Sequence, residues 1–340
     1  MIDLLKKIIE KYELDALVIE DQYDVLEALS VNKPYNFLEI SPLLIITRDK
    51  LFLIGDIYTI EEFKKYSVEK IPVENIEYLN AGMSTFKEMV RLLKRLRVHR
   101  AGVFIPMEIP GIETIVVKDV FRDSFSIPDP ESLKNIKKAI QIGKRILKGL
   151  PEAIKNSDDE IGLRNLIDRM IYDKGGKKRG YPTRVISGKR TFNPSSVTDN
   201  HPIKSPLIVD FGVLVGNRGA GFTRTYTFDN GKIAEVYNQL VEIRDRILEF
   251  IRPGRVGSAV YKRYRKLLSE VGLDKYAFGP ISRPILPGRK GIYISPDSTD
   301  VLVPGMVFHI DVGIYIPGKF GVRIQDPVII EERAINLVGE

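Results

Sequence analysis

The sequence of 340 residues predicts a two-domain α/β protein, a small α/β domain over 1–128 and a larger α+β domain over 129–340. Three observations carry this. Helical and strand periodicities alternate up to Pro106, as in a sheet covered by helices. Turn and cap residues cluster at Pro128-Asp129-Pro130. Charge changes sign at the same place: residues 1–130 hold 17 Lys+Arg against 22 Asp+Glu, a balance of −5, and the rest hold 35 against 23, a balance of +12.

Asp3 precedes Leu4, Leu5, Ile8, Ile9 and Tyr12, a one-faced apolar stripe behind an N-cap, hence an opening helix. "DALVIED" at 15–21 and "LLIITRDKLFLIGD" at 43–56 read as strands, the latter turning at Arg48-Asp49-Lys50. "TFKEMVRLLKRLRV" reads as a helix and "HRAGVFIP" as the strand after it. Asp129 caps a helix with Pro130 in its first turn, running through Leu133, Ile136, Ile140, Leu147 and Leu150 and stopping near Pro151. Ser157-Asp158-Asp159-Glu160 reads as a capping box for a helix through Leu163, Leu166, Ile167 and Met170. Strands follow around 183–188, 206–213 and 222–228, then helices over about 233–251 and 257–270. The final stretch is strand-rich: "GMVFHIDVGIYI", a turn at Pro317-Gly318-Lys319, and "GVRIQDPVII".

Composition narrows the chemistry. No cysteine is present, which excludes disulfides, thiolate zinc sites and a cysteine nucleophile. Only three histidines, His99, His201 and His309, are available for metal or triad chemistry. No apolar run is long enough for a membrane helix, and Asp3 and Glu10 argue against a secretory signal, so a cytoplasmic location is expected. The basic second domain admits an acidic partner or nucleic acid, against the plainer reading of a solvated surface. Lys262, Arg263, Arg265 and Lys266 read as such a solvated helix face. "GNRGAG" at 216–221 lies between two strands, the wrong context for a phosphate cradle.

"LIVDFGVLVGNRGAGFTRTY" at 207–226, "IRPGR" at 251–255 and "VLVPGMVFHIDVGIYIPGKFGVRIQDPVII" at 301–330 resemble the pita-bread metallopeptidases. That family includes creatinase, aminopeptidase P, methionine aminopeptidase and the Xaa-Pro dipeptidases (prolidases). Length and "PGKFGVRIQD" resemble the prolidases most. The resemblance implies a creatinase-type N-terminal domain, a pita-bread C-terminal domain and a homodimer. It also implies two divalent ions held by two Asp, one His and two Glu, which activate a bridging water.

Carried over residue by residue, that ligand set is broken. The Asp of "VDFG" is Asp210, but the Asp of the family word "DFTRT" is Gly221. The His of "GHGIG" falls at Gly288 in "ILPGRKGIYISP". The Glu of "MVFTIEPGIY" becomes Asp311, and that of "GVRIED" becomes Gln325. The two substrate histidines of prolidases map to Ser195 and near Ser295, while Arg323 matches the family arginine. Asp210, Asp311 and Gln325 are thus relic ligand positions, Gly221 and Gly288 lost ones. Ser195, Ser295, His309 and Arg323 are assigned to the old substrate cleft.

Two adjacent buried carboxylates need a cation. Arg289, Lys290, Arg323 and Arg224 are the candidates, which predicts a side-chain cation in place of the metals. His309, two residues before Asp311, shares its strand face. It admits a rebuilt mononuclear site or, on the simpler reading, a histidine hydrogen-bonded in the cleft wall. The expected function is a prolidase-like protein without dinuclear peptidase activity, and without a cofactor, that binds a peptide, protein or other ligand. Family members acting as histone chaperones give precedent. The alternatives are an active Xaa-Pro dipeptidase or aminopeptidase with a rebuilt Mn, Co or Zn site, and a basic nucleic-acid-associated protein.

Overall fold

A computed structural model describes residues 1–31, 42–73, 81–117, 120–229, 231–285 and 291–339. The chain divides into two compact units, Met1–Phe121 and Arg122–Glu340.

The first unit begins with α1 (Ile2–Lys11), which buries Leu5, Ile8 and Ile9. Asp3 lies inside its first turn and not at the cap, so it acts on the helix dipole instead of on an orphan N–H. Next come β1 (Ala16–Ile19), α2 (Gln22–Ala28), β2 (Leu43–Thr47), β3 (Leu51–Asp56), α3 (Ile57–Glu62) and β4 (Glu69–Val73). α4 (Ala81–Arg95), β5 (Arg100–Val103) and β6 (Glu113–Val116) complete the unit's sheet and its cover. The strand order is β4-β3-β2-β1-β5-β6. β2 and β3 form the antiparallel hairpin expected around Arg48-Asp49-Lys50, and β5 lies parallel to β1. β1 is buried along its whole length, and Met89, Leu92 and Leu93 of α4 pack into the same core.

The second unit contains α6 (Pro130–Lys155) after the short α5 (Val120–Ser126). Asp129 caps α6 as expected, accepting from the backbone N–H of Glu131 at 2.9 Å and Ser132 at 3.0 Å. The helix does not stop at Pro151 but runs on to Lys155. Leu150 and Ala153 are buried on either side of the proline, and that packing offsets the lost hydrogen bond. α7 (Glu160–Asp173) is capped by Asp159, which accepts from Gly162 N–H at 2.7 Å. Ser157 is no cap: its hydroxyl turns back to the Ala153 carbonyl. Glu160 turns inward, accepting from Ser187 N–H and the Arg190 guanidinium.

The sheet of this unit is antiparallel throughout. It holds β7 (Lys178–Arg179), β8 (Arg184–Ser187), β9 (Leu207–Val215), β10 (Arg218–Tyr226), β11 (Ser282–Arg283), β12 (Val307–Ile316), β13 (Phe320–Ile330) and β14 (Ala334–Asn336). Its order is β11-β12-β13-β10-β9-β7, with β8 also on β9 and β14 on β13. Two long hairpins, β9–β10 and β12–β13, therefore meet at β10 and β13. Gly216 (φ 62°) and Gly318 (φ 69°) sit at their turns, in the left-handed region that glycine enters without strain.

Strand alternation sorts the side chains. Val209, Phe211, Val213 and Phe222 pack under α6 and α7. Ile310, Val312, Val322 and Ile324 pack with α8 (Lys232–Phe250) and α9 (Gly257–Glu270). Gly143 lets α6 lie directly on the Phe222 ring, since a Cβ there would come within 2.2 Å of it. The residues between these, Asp210 and Gly212, Gly221 and Thr223, Asp311 and Gly313, and Arg323 and Gln325, face the other way. They form the floor of the site.

Candidate functional site

Register builds the site. Arg184 pairs with Asp210, Asp210 with Thr223, Thr223 with Gln325, and Gln325 with Asp311. One cross-strand row thus runs over five strands. Arg323 stands one step away on β13, opposite Gly313, where no side chain blocks its reach back over the row.

Asp210 and Asp311 are 4% and 6% exposed, and Arg323 is 9% exposed. The Arg323 guanidinium lies between the two carboxylates. Nε donates to Asp311 Oδ1 at 2.7 Å and Nη2 to Asp311 Oδ2 at 2.8 Å, a bidentate pair. Nη1 donates to Asp210 Oδ2 at 2.9 Å, and Nη2 also reaches Gln325 Oε1 at 3.1 Å. Arg283 of β11 adds a second cation, its Nε donating to Asp311 Oδ2. Burial pushes the Asp311 carboxyl up, but Arg323 and then Arg283 outweigh it and hold the group below the usual carboxylate range. Burial alone would lower the Arg323 guanidinium, and the two carboxylates hold it well above its ordinary value.

The far side of Asp210 is closed by Tyr181. Its hydroxyl donates to Asp210 Oδ1 at 2.7 Å, with the Phe211 carbonyl at 2.9 Å. The Thr223 hydroxyl reaches Asp210 Oδ1 at 3.2 Å. Burial, then the Asp210 charge, raises the Tyr181 phenol well above its ordinary value, so it stays a neutral donor. The Tyr181 ring lies in a slot made by two glycines paired across β9 and β10. A Cβ on Gly212 would meet its Cε1 at 2.5 Å, and one on Gly221 would meet its hydroxyl at 2.6 Å. The phenol therefore stands where a side chain at 221 would project.

His309 shares the strand face of Asp311 but is buried beside the floor, at 1% exposure, and does not line the cavity. Its Nε2 accepts from Gly221 N–H at 2.8 Å and its Nδ1 faces the Pro284 carbonyl at 3.1 Å. That pairing fits the neutral ring protonated on Nδ1. Burial lowers its pKa to about 4 against the pull of Asp311. With both ring nitrogens engaged, His309 has no lone pair for a metal, which removes the residue on which a mononuclear site was expected to rest.

Above the floor is a cavity of about 320 Å³. Arg184, Arg283, Phe278 and Tyr315 line it together with Ser195 and the Arg323–aspartate cluster. The structure thus brings Asp210, Asp311, Gln325, Ser195 and Arg323 together. Two assignments to the cleft are corrected. His309 is buried beside it and does not line the cavity, and Ser295 sits in a turn whose carbonyl accepts from Ser298 N–H, outside the cavity lining. Gly288, Arg289 and Lys290 lie outside the described residues. Arg224 is on the opposite face of the sheet, where it and Arg244 hold the buried Asp326 at 2.6 and 2.5 Å. Alternation along β13 separates the two clusters, Gln325 pointing to one and Asp326 to the other.

Sequence reasoning missed Tyr181 and Arg283. For Tyr181 a signal existed: glycines at 212 and 221 leave a gap on one face that some ring must fill. Arg283 carried none, because β11 is a two-residue strand.

The donor set does not fit a dinuclear metal centre. A glycine at 221 is overlain by a phenol, 325 is a neutral amide, and both remaining carboxylates are bound to guanidinium groups. Among the described residues no group of three or more His, Asp or Glu side chains is placed to hold an ion.

Two adjacent antiparallel hairpins, helices packed beneath both and a cleft on the free face define a pita-bread protein. Residues 134–332, more than half of the chain, match metallopeptidase family M24, and the chain belongs to that family. It is 28% identical over 221 residues to an Xaa-Pro dipeptidase of Pyrococcus furiosus, covering 64% of each chain, somewhat under two thirds of that relative. It is 26% identical over 270 residues to an Xaa-Pro dipeptidase of Pyrococcus horikoshii, covering 75% of this chain and 77% of that one. Among solved structures, a prolidase from Thermococcus sibiricus matches with a TM-score of 0.88 at 21% identity over 99% of this chain and 96% of its own. The N-terminal domain of a FACT complex subunit from Cicer arietinum matches with a TM-score of 0.78 at 16% identity over 100% and 95%. These two likenesses are of fold. No helix among the described residues is long and apolar enough to cross a membrane.

Proposed function

We propose that this M24 protein is a binding protein built on a peptidase scaffold, in which a fixed guanidinium has taken over the charge balance of the family's two metal ions. The observation that carries this reading is Arg323 lying between Asp210 and Asp311. A carboxylate whose oxygens already accept short charge-assisted hydrogen bonds is a poor ligand, and a dication beside Arg323 would be repelled. The cleft keeps a ligand-sized volume. Three arginines and two aspartates line it, a surplus of one positive charge. With Phe278 and Tyr315 on its walls, it suits a peptide or other small ligand that ends in a carboxylate. A homodimer, which the prolidase likeness implies, and a cytoplasmic location belong to the same reading.

The test has two parts. Purified protein is dialysed against Mn²⁺ or Co²⁺ and its metal content measured, and Xaa-Pro dipeptides are offered with those ions present. Sub-stoichiometric metal and no turnover are expected. Turnover that Asp210→Ala abolishes would establish the second reading, an active Xaa-Pro dipeptidase with a rebuilt divalent-metal site. The relatives named Xaa-Pro dipeptidase support that reading.

A further inference from the structure

The second unit carries a larger cavity that shares no lining residue with the cleft. It is a groove of about 660 Å³ between α6 and the chain at Gly175–Lys177 and Val215. Lys134, Lys137, Lys138, Arg145 and Lys177 rim it, all exposed, and no carboxylate lines it. Its floor is aliphatic, with Leu133 and Val215 half-buried and Ile142 buried.

Several arginines of the unit are engaged by carboxylates. Arg190 is paired with Glu160, Arg224 and Arg244 with Asp326, and Arg265 with Asp274. Among the described residues none of the five rim cations has an ion-pair partner. Lys134 also stands at i,i+3 and i,i+4 to Lys137 and Lys138, spacings at which like charges repel. An anionic occupant would relieve that repulsion.

We propose that this groove is a docking site for an acidic polypeptide segment punctuated by aliphatic side chains. Glutamate or aspartate side chains meet the lysine rim, and Leu-, Ile- or Val-type side chains rest on Leu133, Ile142 and Val215. Nucleic acid fits the lining less well. No aromatic side chain is present to stack a base, four of the five cations are lysines that cannot fork onto a phosphate, and phosphates have no use for an aliphatic floor. The sequence placed its basic-run question on Lys262–Lys266. There Arg265 pairs with Asp274, and the basic run that rims this groove is on α6 instead.

The test is fluorescence anisotropy on the full chain with three labelled probes. The first is a peptide of roughly twelve residues with Leu at helical spacing among Glu. The second has Ser in place of Leu, and the third is a single-stranded oligonucleotide of equal charge. The Glu/Leu peptide is expected to bind about tenfold or more tighter than either other probe. The triple variant Lys134→Gln, Lys137→Gln, Lys138→Gln should weaken it about tenfold, each exposed pair contributing a few-fold. Val215→Asp should weaken it as well. Lys262→Gln with Lys266→Gln should leave it unchanged. Tighter binding of the oligonucleotide, equal binding of the Ser peptide, or equal losses in the two lysine variant sets would overturn the proposal. So would concentration-dependent dimerisation that the triple variant abolishes, because the occupant would then be a second copy of the chain.

Discussion

Replacing Arg323 by Met keeps most of the side chain's volume and removes the charge. Four hydrogen bonds go with it: two to Asp311, one to Asp210 and one to Gln325. Arg283 still reaches Asp311, but among the described residues no cation remains on Asp210, only the Tyr181 and Thr223 hydroxyls. Breaking a buried pair from one side costs about 3–5 kcal/mol. A domain of ordinary stability has about 5–15 kcal/mol in all, so the loss is a large fraction of it. The penalty depends on pH in a stated direction. In the variant Asp311 loses the larger of the two cations that offset its burial, so its folded-state pKa moves up and the folded variant holds on to protons that the parent chain gives up. Stability relative to the parent then falls as pH rises, and the penalty is greatest near neutrality. Urea denaturation followed by far-UV circular dichroism at pH 7 and near pH 4.5 reads both quantities. Arg323→Lys should be intermediate, since one ammonium cannot donate the parallel pair to Asp311 and also reach Asp210. A loss of under about 1 kcal/mol at pH 7, or equal losses at both pH values, would refute the account.

Two further outcomes follow from the same floor. A methyl group at Gly221 would come within 2.6 Å of both the Tyr181 hydroxyl and Gln325 Nε2, so Gly221→Ala should destabilise by about 1–3 kcal/mol. The cost should shrink in a Tyr181→Phe background, and strict additivity in the double-mutant cycle would sink the claim that the phenol fills this space. His309 has a folded pKa of about 4 against about 6.5 unfolded, so between those values the unfolded chain binds the extra proton and stability falls as pH falls. The window is worth about 3 kcal/mol, and Asp311, whose folded pKa is depressed, gives up its own contribution only below about pH 4. His309→Gln, which keeps an acceptor for Gly221 N–H, should flatten the profile between pH 4 and 6.5; an unchanged slope there would count against a buried neutral imidazole.

The long strands were legible because the period-two pattern of "LIVDFG" and "GVRIQD" cannot be satisfied another way once one face packs on helices. The resemblance to the family words, not the alternation, brought Asp210, Asp311 and Gln325 to one cleft, and two neighbouring carboxylates left a cation to be found. Arg323 was among four candidates, and only register separated it from Arg224: neighbouring strands carry both arginines toward opposite faces. Pro151 misled because local propensity was weighed without the packing of Leu150 and Ala153. Ser157 misled because Asp159, two residues on, competes for the same orphan N–H groups. Tyr181 and the α6 groove depend on segments far apart in sequence meeting in space, which no window of residues contains.

The guanidinium at the centre of the cleft is tethered to its own chain. A metal ion is an independent component, and the fraction of sites holding one follows its free concentration and the strength of competing chelators. Arg323 has no such term. Its presence between the carboxylates is fixed by the covalent backbone of β13. The cleft's charge is therefore set at synthesis, the same at any dilution and in any ionic supply. The two carboxylates of the floor are thus held together by a part of the chain itself.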